Sequence, residues 1–235
     1  CVSAGNTGAL LTTSLFLIGK IPGIKRPALA PLIPTKNSNF ILCDVGANAN
    51  SKPQHLLQFA LMATAYMQHL ENRKKPKVAL LNIGQEKNKG NELTASTYPL
   101  LEENVENFIG NIESKHLLEG KADVIICDGF TGNIVLKLTE GIIDHLLNWI
   151  QEIYHNHSHD DVASTEFLSI LKEIQNSLDP EEYGATPLLG INGIVMKCHG
   201  STTERGIKNS LIAAEKAVKE NLITNISNLL NDYDV

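Results

Sequence analysis

Four short polar segments, each rich in Gly and Asn, follow apolar runs of the sequence and are candidates for binding a small anion. They cover residues 3–8, 44–48, 82–84 and 128–133. In the last segment a buried strand would end in a turn that opens a helix, so that backbone N–H groups and the positive end of the helix dipole point at the ligand. One such turn is more often only a well-capped connection. Four of them at the edge of one sheet could build one polar crevice.

Most residues of these segments, with two further loop residues, are predicted to bind phosphate or substrate. The candidates are Ser3, Gly5, Asn6, Thr7, Gly8, Asp44, Asn48, Asn82, Asp128, Gly129, Thr131, Gly132, Asn192 and His199. Two alternatives stay open at this stage: Asp44 and Asp128 could cap neighbouring helices, and His199 could be a structural histidine.

Two further side chains have the chemistry that acyl transfer to an anion needs. Lys89 lies in the polar loop 85–91 and could clamp an anion, although an exposed loop lysine is the commoner case. Asn133 stands in the first turn of the predicted helix, where its amide could cap the helix or donate to a developing oxyanion.

Several classes of function are disfavoured by the sequence. The dinucleotide, nucleotide triphosphate and serine-elbow fingerprints are absent, and a net charge of −6 argues against nonspecific nucleic-acid binding. His155, His157 and His159 alternate in a polar stretch and are interpreted as loop residues rather than metal ligands. Four cysteines without metal-ligand spacing indicate a reducing compartment, so the cytoplasm is expected. Apolar stretches remain shorter than the ~20 residues of a membrane span.

The elements that must position these side chains alternate between strands and helices. Strands are predicted at 39–43, 77–82, 124–127 and 193–198, and helices at 10–18, 53–70, 93–106 and 209–230, with 110–113 as a junction. This alternation predicts one α/β domain over residues 1–235 with parallel strands. Because the chain starts at Cys1 in what reads as the end of a strand, we expect that its natural beginning is missing.

A helical hairpin is predicted to project from the sheet at about residues 134–178. Its two helices, at 134–155 and 165–178, carry more apolar residues than one narrow stripe needs. Pattern alone favours a dimer contact or core over membrane contact for this surface.

Read together and in order, the motifs resemble those of the bacterial acyl-[acyl carrier protein]:phosphate acyltransferases over nearly the entire chain. They include Ser-Ala-Gly-Asn-Thr-Gly at 3–8, Arg-Pro-Ala at 26–28, Asp-Val-Gly-Ala-Asn at 44–48, Lys-Gly at 89–90, Asp-Gly-Phe-Thr-Gly-Asn at 128–133, and His-Gly-Ser at 199–201.

This resemblance implies a three-layer, Rossmann-like fold related to phosphotransacetylases and the isocitrate dehydrogenase group, in a homodimer. The implied reaction moves a fatty acyl group from acyl carrier protein to inorganic phosphate, without a cofactor, and a membrane glycerol-3-phosphate acyltransferase consumes the acyl phosphate. Lys89 and Asn133 match the best catalytic candidates of the family. The resemblance also reverses the interpretation of the hairpin, because similar proteins attach peripherally to membranes through it. Relatives carry a further N-terminal region of roughly a hundred residues, a typical domain size.

Three other functions remain as alternatives to this reading. A phosphotransacetylase acting on acyl-coenzyme A would share the fold and chemistry, a dehydrogenase would share the fold, and a non-catalytic module would use the hairpin alone. The basic runs at 73–77 and 20–26 are candidate docking sites for the acidic carrier protein.

Overall fold

Two β-sheets form the centre of the computed structural model, which describes residues 1–36, 38–157 and 162–232. The strands are β1 (Val2–Ser3), β2 (Ala28–Leu29), β3 (Leu32–Pro34), β4 (Asn39–Cys43), β5 (Val78–Asn82), β6 (Phe108–Glu113), β7 (Val124–Ile126), β8 (Thr186–Leu189) and β9 (Met196–Lys197).

The larger sheet has five strands in the order β3-β4-β7-β5-β6. The pairs β4–β7, β7–β5 and β5–β6 are parallel, and β3 adds an antiparallel edge. Successive residues of these strands face opposite sides: Ile41 and Cys43 join one apolar cluster, whereas Phe40 and Leu42 join the other. Strands buried on both faces must be covered by helices on both, which gives the expected three-layer α/β architecture.

Seven α-helices surround the sheets in the described ranges. They are α1 (Thr7–Thr13), α2 (Pro53–His69), α3 (Glu92–Asn104), α4 (Gly129–His157), α5 (Val162–Ser177), α6 (Glu204–Lys219) and α7 (Leu222–Asp232). Helix α2 is the most buried of them, since its residues from Leu56 to Ala63 are all inaccessible or nearly so. It packs against β4 and β7 on one side and against α3 and α7 on the other.

The smaller sheet has the order β1-β9-β8-β2, with β1 and β9 parallel and the other pairs antiparallel. Only Ala30 and Pro31 separate β2 in this sheet from β3 in the larger one. Both are tied down, because the Ala30 N–H donates to Pro187 O and Pro31 O accepts from Leu42 N. The two sheets are therefore joined by a short, hydrogen-bonded segment.

Helices α4 and α5 correspond to the predicted hairpin, and residues 158–161 between them lie outside the described part. The Tyr154 and Phe167 rings stack across the pair at 4.6 Å. Of the three histidines that were interpreted as loop residues, His159 and the side chains of His155 and His157 also lie outside the described part. Within the described ranges, no helix combines the length and apolar character that crossing a membrane would require.

The sequence-based element boundaries hold for the central strands and differ elsewhere. The strand predicted at 193–198 is only Met196–Lys197, and strands β2, β3 and β8 were not predicted. Residues 110–113 are not a junction but part of strand β6, where Gly110 has a φ of +93° and the register with β5 shifts. The predicted helix at 209–230 is two helices, interrupted at Asn221, whose φ is +52°. The helix predicted from residue 134 begins earlier, at Gly129.

Candidate functional site

The carboxyl ends of β4, β7, β5 and β6 lie at one edge of the larger sheet, because these strands are parallel. The segments that follow β4, β5 and β7 are three of the four predicted polar segments. In open α/β sheets this edge is where ligands bind. Most of the site residues predicted from the sequence therefore lie at the edge of the sheet where α/β proteins usually bind ligands.

The centre of this edge is the Asp44 carboxylate, which is completely buried. Its Oδ1 accepts hydrogen bonds from the N–H groups of Leu29 (2.9 Å), Ala47 (3.1 Å) and Gly46 (3.3 Å). Its Oδ2 accepts from the backbone N–H (2.7 Å) and the side-chain amide (3.0 Å) of Asn48. Burial raises the pKa of Asp44, and the hydrogen bonds from Ala47, Asn48 and Leu29 oppose that rise. The buried Asp44 side chain thus fixes the conformation of the 44–48 loop.

Two glycines let helix α4 pack directly on this loop. A Cβ at Gly129 would lie 2.6 Å from Asp44 Oδ2, and a Cβ at Gly132 would lie 1.9 Å from the Asp44 carbonyl oxygen. The Gly129 N–H donates to Asn48 O at 2.9 Å. This close approach brings the Asn133 side chain to 3.8 Å from the Cβ position of Gly46. The glycine spacing therefore positions Asn133 over the Asp44 loop.

The predicted cradle of backbone N–H groups at 128–133 is corrected by the structure. Asp128 caps α4: its Oδ1 accepts from the Thr131 N–H at 2.9 Å and its Oδ2 from the Thr131 hydroxyl at 2.8 Å. The Gly132 N–H donates to Asp128 O, and the Gly129 N–H is also used within the protein. The capping alternative considered for Asp128 is what the geometry shows, and three N–H groups expected to face an anion are already hydrogen-bonded.

The loop that carries Lys89 is fixed by two asparagines. Asn82 Nδ2 donates to Lys89 O at 2.9 Å, and Asn82 Oδ1 accepts from the Ile83 N–H at 2.8 Å. Asn111, on the strand that the sequence reading missed, donates to Glu86 O at 2.8 Å. The Asn82 side chain therefore fixes the conformation of the loop. Asn111 is a second positioning residue, and nothing in the sequence pattern at 110–113 indicated this role.

Lys89 and Lys87 lie in the same loop but differ in their ionic contacts. Lys87 Nζ pairs with the Glu102 carboxylate on α3, close to the Tyr98 ring. Lys89 forms no ion pair with any carboxylate of the described residues. Lys89 thus retains an uncompensated positive charge at the strand edge.

The segment at 3–8 corrects the expectation of four edges on one sheet, because it follows β1 of the smaller sheet. Ser3 Oγ accepts from the Gly5 N–H at 3.1 Å, and Asn6 caps α1 by accepting from the Ala9 N–H at 3.0 Å. Thr7 is the first residue of that helix. Gly5, Asn6 and Gly8 are exposed, and Ser3 and Thr7 partly so.

His199 lies beside this segment, because the Cys198 N–H donates to Ser3 O at 2.9 Å. The exposed His199 shares a hydrogen bond with Ser201 Oγ at 2.7 Å. Burial raises the pKa of Glu140 on α4, and the nearby His199 lowers it. Helix α4 therefore faces the ends of both sheets. Asn192 is exposed, and its backbone N–H donates to Gly19 O.

The binding edges of the larger and smaller sheets are connected through the residues that precede β3. Asn48 Nδ2 donates to Pro27 O at 2.7 Å, and the Val45 N–H donates to Leu29 O at 3.0 Å. The Arg-Pro-Ala motif thus supports the 44–48 loop, a role that its sequence position does not reveal. No cluster of three His, Cys, Asp or Glu side chains suited to a metal ion occurs among the residues that the structure describes.

Comparison with protein families and curated proteins gives extensive matches. A family model described as "Fatty acid synthesis protein" matches residues 1–225. A phosphate acyltransferase of Halothermothrix orenii is 40% identical over 232 residues, which are 98% of this chain and 70% of that protein. A phosphate acyltransferase of Thermodesulfovibrio yellowstonii is 43% identical over 99% of this chain and 68% of its own length.

Solved structures show the same fold at much lower identity. The EutD phosphotransacetylase from Staphylococcus aureus has a TM-score of 0.57 and 19% identity, and covers 91% of this chain. A branched-chain phosphotransacylase from Enterococcus faecalis V583 has a TM-score of 0.60 and 15% identity over 92% of this chain. The aligned part makes up 60% of the first structure and 72% of the second. At this identity the likeness establishes the fold.

Replacing Gly132 by Ala should destabilise the protein by about 1–3 kcal/mol or more, because the new methyl group would collide with the Asp44 carbonyl oxygen. Gly141, on the exposed side of the same helix, has no atom within 4 Å of a Cβ position. Gly141→Ala should therefore stabilise by about 0.5–1 kcal/mol through helix propensity. Urea unfolding measures both changes, and equal effects of the two substitutions would contradict the packing described here.

Proposed function

Because this chain belongs to the phosphate acyltransferase family, we propose that it transfers a fatty acyl group from acyl-[acyl carrier protein] to inorganic phosphate. The observation that carries this proposal is identity of 40–43% to phosphate acyltransferases along 98–99% of the chain. The product, an acyl phosphate, supplies phospholipid synthesis. The enzyme is accordingly an acyltransferase.

The chemistry is a direct displacement on a thioester. A phosphate oxygen attacks the carbonyl carbon, a new C–O bond forms, and the C–S bond to the carrier's pantetheine arm breaks. The thiolate leaves with the electron pair and takes a proton from solvent. Because a thiolate is a good leaving group, the reaction needs no strong general acid and no metal, nucleotide or redox cofactor. Holding both reactants in register is the main task of the protein.

Lys89 binds the phosphate in this proposal. Its ammonium group has no carboxylate partner among the described residues, and its loop is held at the strand edge by Asn82 and Asn111. A fixed cation offsets the phosphate charge and its repulsion from the developing oxyanion. The exposed residues Asn6, Asn192 and His199 at the smaller sheet stay candidate phosphate or substrate contacts.

Asn133 donates to the carbonyl oxygen as negative charge develops on it. The side chain stands in the first turns of α4, over the Asp44 loop, and that loop is held by internal hydrogen bonds. A donor fixed before the reaction needs no reorganisation when the charge appears, which makes its electrostatic contribution large.

Two apolar side chains at the same edge fit a fatty acyl substrate. Ile83 follows β5 and Phe130 follows β7, the neighbouring strand, and their exposed fractions are 79% and 63%. Large apolar groups exposed beside a polar edge are typical of a ligand-binding surface. They would cover the part of the acyl chain next to the thioester.

The α4–α5 hairpin attaches the enzyme to the membrane surface. Its apolar side chains are exposed along its length, with Leu138 at 61%, Trp149 at 54% and Ile170 at 49%. Such a face suits the boundary of a lipid layer. Attachment would deliver acyl phosphate to a membrane glycerol-3-phosphate acyltransferase. Sedimentation with phospholipid vesicles measures the attachment, and protein that stays in the supernatant would argue against it.

The predicted homodimer can be tested by light scattering, which measures the molar mass of the protein in solution.

Incubation of the protein with a long-chain acyl carrier protein should release the carrier thiol only when inorganic phosphate is present. Hydroxylamine should trap the acyl phosphate product as a hydroxamate. Release from acyl-coenzyme A but not from the carrier would assign the chain to the phosphotransacetylases instead.

Asn133→Ala should lower turnover by ~100-fold to 1,000-fold, as the loss of one oxyanion donor typically does. Asn148 is an exposed residue of the same helix, about 22 Å further along its axis at the usual rise per residue. Asn148→Ala should leave turnover unchanged. A turnover of Asn133→Ala close to that of the wild type would refute the oxyanion role.

Lys89→Gln should raise the KM for phosphate by about 10-fold to 100-fold, because a charge-assisted hydrogen bond contributes ~1.5–3 kcal/mol. Lys87→Gln is the matched control in the same loop, since the Lys87 charge is already paired with Glu102. Steady-state kinetics with varied phosphate separate the two variants. Similar KM values for both would show that Lys89 does not contact phosphate.

A further inference from the structure

A group of cationic side chains surrounds the start of helix α2. This α2 basic patch consists of Lys20, Lys25, Arg26, Lys52 and His55. The first four are exposed and His55 is partly exposed. The patch is formed by two separate chain segments, 20–26 and 52–55, which folding brings together.

The α2 basic patch lacks counterions among the described residues, whereas two of the four cations in the other basic run have them. In the 73–77 run, Arg73 pairs with Asp123 and Lys75 with Glu106. None of the patch residues forms an ion pair with a carboxylate in the described ranges. In a chain with a net charge of −6, this local positive surface is therefore available to a partner.

The position of the patch is unfavourable for the helix itself. Lys52 is the N-cap residue of α2, and the first turn contains no acidic residue. Cations near the positive end of a helix dipole destabilise the helix, typically by ~0.3–1 kcal/mol each. The pKa of His55 is lowered, first by partial burial and then by the charges of the other patch residues. The fold therefore tolerates mutual repulsion here that no ion pair among the described residues relieves.

A buried glutamine preorganises the patch. Gln58 of α2 is completely buried, its Oε1 accepts from the Lys25 N–H at 2.8 Å, and its Nε2 donates to Gly23 O at 3.0 Å. The Lys25 ammonium group donates to Gln54 Oε1 at 2.9 Å, and the Lys20 ammonium group to Lys25 O at 3.0 Å. The Lys20 and Lys25 ammonium groups are thus held by neutral acceptors, which fix their positions and leave their charges uncompensated.

The α2 basic patch adjoins the candidate active site on two sides. Lys52 follows the 44–48 loop by four residues, and Arg26 precedes Pro27, whose carbonyl oxygen accepts from Asn48. A partner bound to the patch would therefore lie next to the edge where Asn133 and Lys89 stand.

We propose that the α2 basic patch docks the acidic carrier protein and so delivers the acyl thioester to the neighbouring strand edge. This inference rests on the proposed function, in which the carrier is the acyl donor. A phosphate ion needs few, convergent donors, whereas these cations are spread over two chain segments. Such an extended surface fits an acidic protein, for which complementary charge accelerates encounter and fixes orientation.

The test is charge reversal at two exposed patch residues, Lys25→Glu with Lys52→Glu. Its matched control, Lys74→Glu with Lys75→Glu, changes the net charge equally at the other basic run, where Lys75 is already paired with Glu106. At low ionic strength the patch variant should raise the KM for acyl carrier protein by about tenfold, and the control by less than twofold. Turnover of acyl-pantetheine, which lacks the carrier and its charges, should be unchanged in both. Added salt should shrink the difference between wild type and the patch variant.

Several results would overturn the proposal. Equal losses of activity with acyl carrier protein and with acyl-pantetheine would mean that the patch serves folding or chemistry. In that case a neutral variant, Lys25→Gln with Lys52→Gln, should lose as much activity as the charge-reversal variant. An unchanged KM together with lost sedimentation on phosphatidylglycerol vesicles would assign the patch to the membrane. If the wild type is active on the carrier and the patch variant has the same KM for it, this inference alone is overturned. A wild type inactive on the carrier overturns the proposed function with it.

Discussion

The buried carboxylate of Asp44 is the interaction on which the candidate site depends. An ionised carboxyl group without partners in the protein interior costs several kcal/mol, so its burial requires donors on every side. Leu29 of the smaller sheet and three residues of the following loop supply them. Asp44 Oδ2 lies 2.6 Å from the position that a Cβ at Gly129 would take, which restricts helix α4 to its observed path. One acidic residue thereby fixes a loop, a helix and the junction of two sheets.

Satisfying these internal groups determines which polar atoms remain for a ligand. Asp44, Asn48, Asn82, Asp128 and Thr131 all direct their side-chain atoms to other parts of the protein. The side chains of Lys89 and Asn133 lie at the edge that those residues build. Residues that build a site and residues that can act in it are therefore distinguished by whether their hydrogen-bonding capacity is already used.

Local pattern was sufficient for much of the fold and for the identity of the candidate residues. The apolar runs at 39–43 and 53–70 specify β4 and α2 because each is buried through most of its length. Strand β6 was not predicted because Gly110 and Asn111 interrupt its apolar run. The segment after β1 was expected at the edge of the same sheet as the others, because the order of strands depends on long-range pairing that local sequence does not show. The turn at residue 128 looked open to an anion, since its sequence cannot show that Asp128 and Asn48 already occupy its N–H groups.

The short segment between the sheets has a mechanical consequence. Ala30 and Pro31 are hydrogen-bonded to β8 and β4, and Leu29 is bound to Asp44 and Val45. A hinge needs a few residues whose backbone dihedral angles are free to rotate, and this connection has none to offer without breaking ladder bonds. Any movement that admits a long acyl chain therefore falls to the Lys89 loop or the projecting helices rather than to rotation at Ala30 and Pro31.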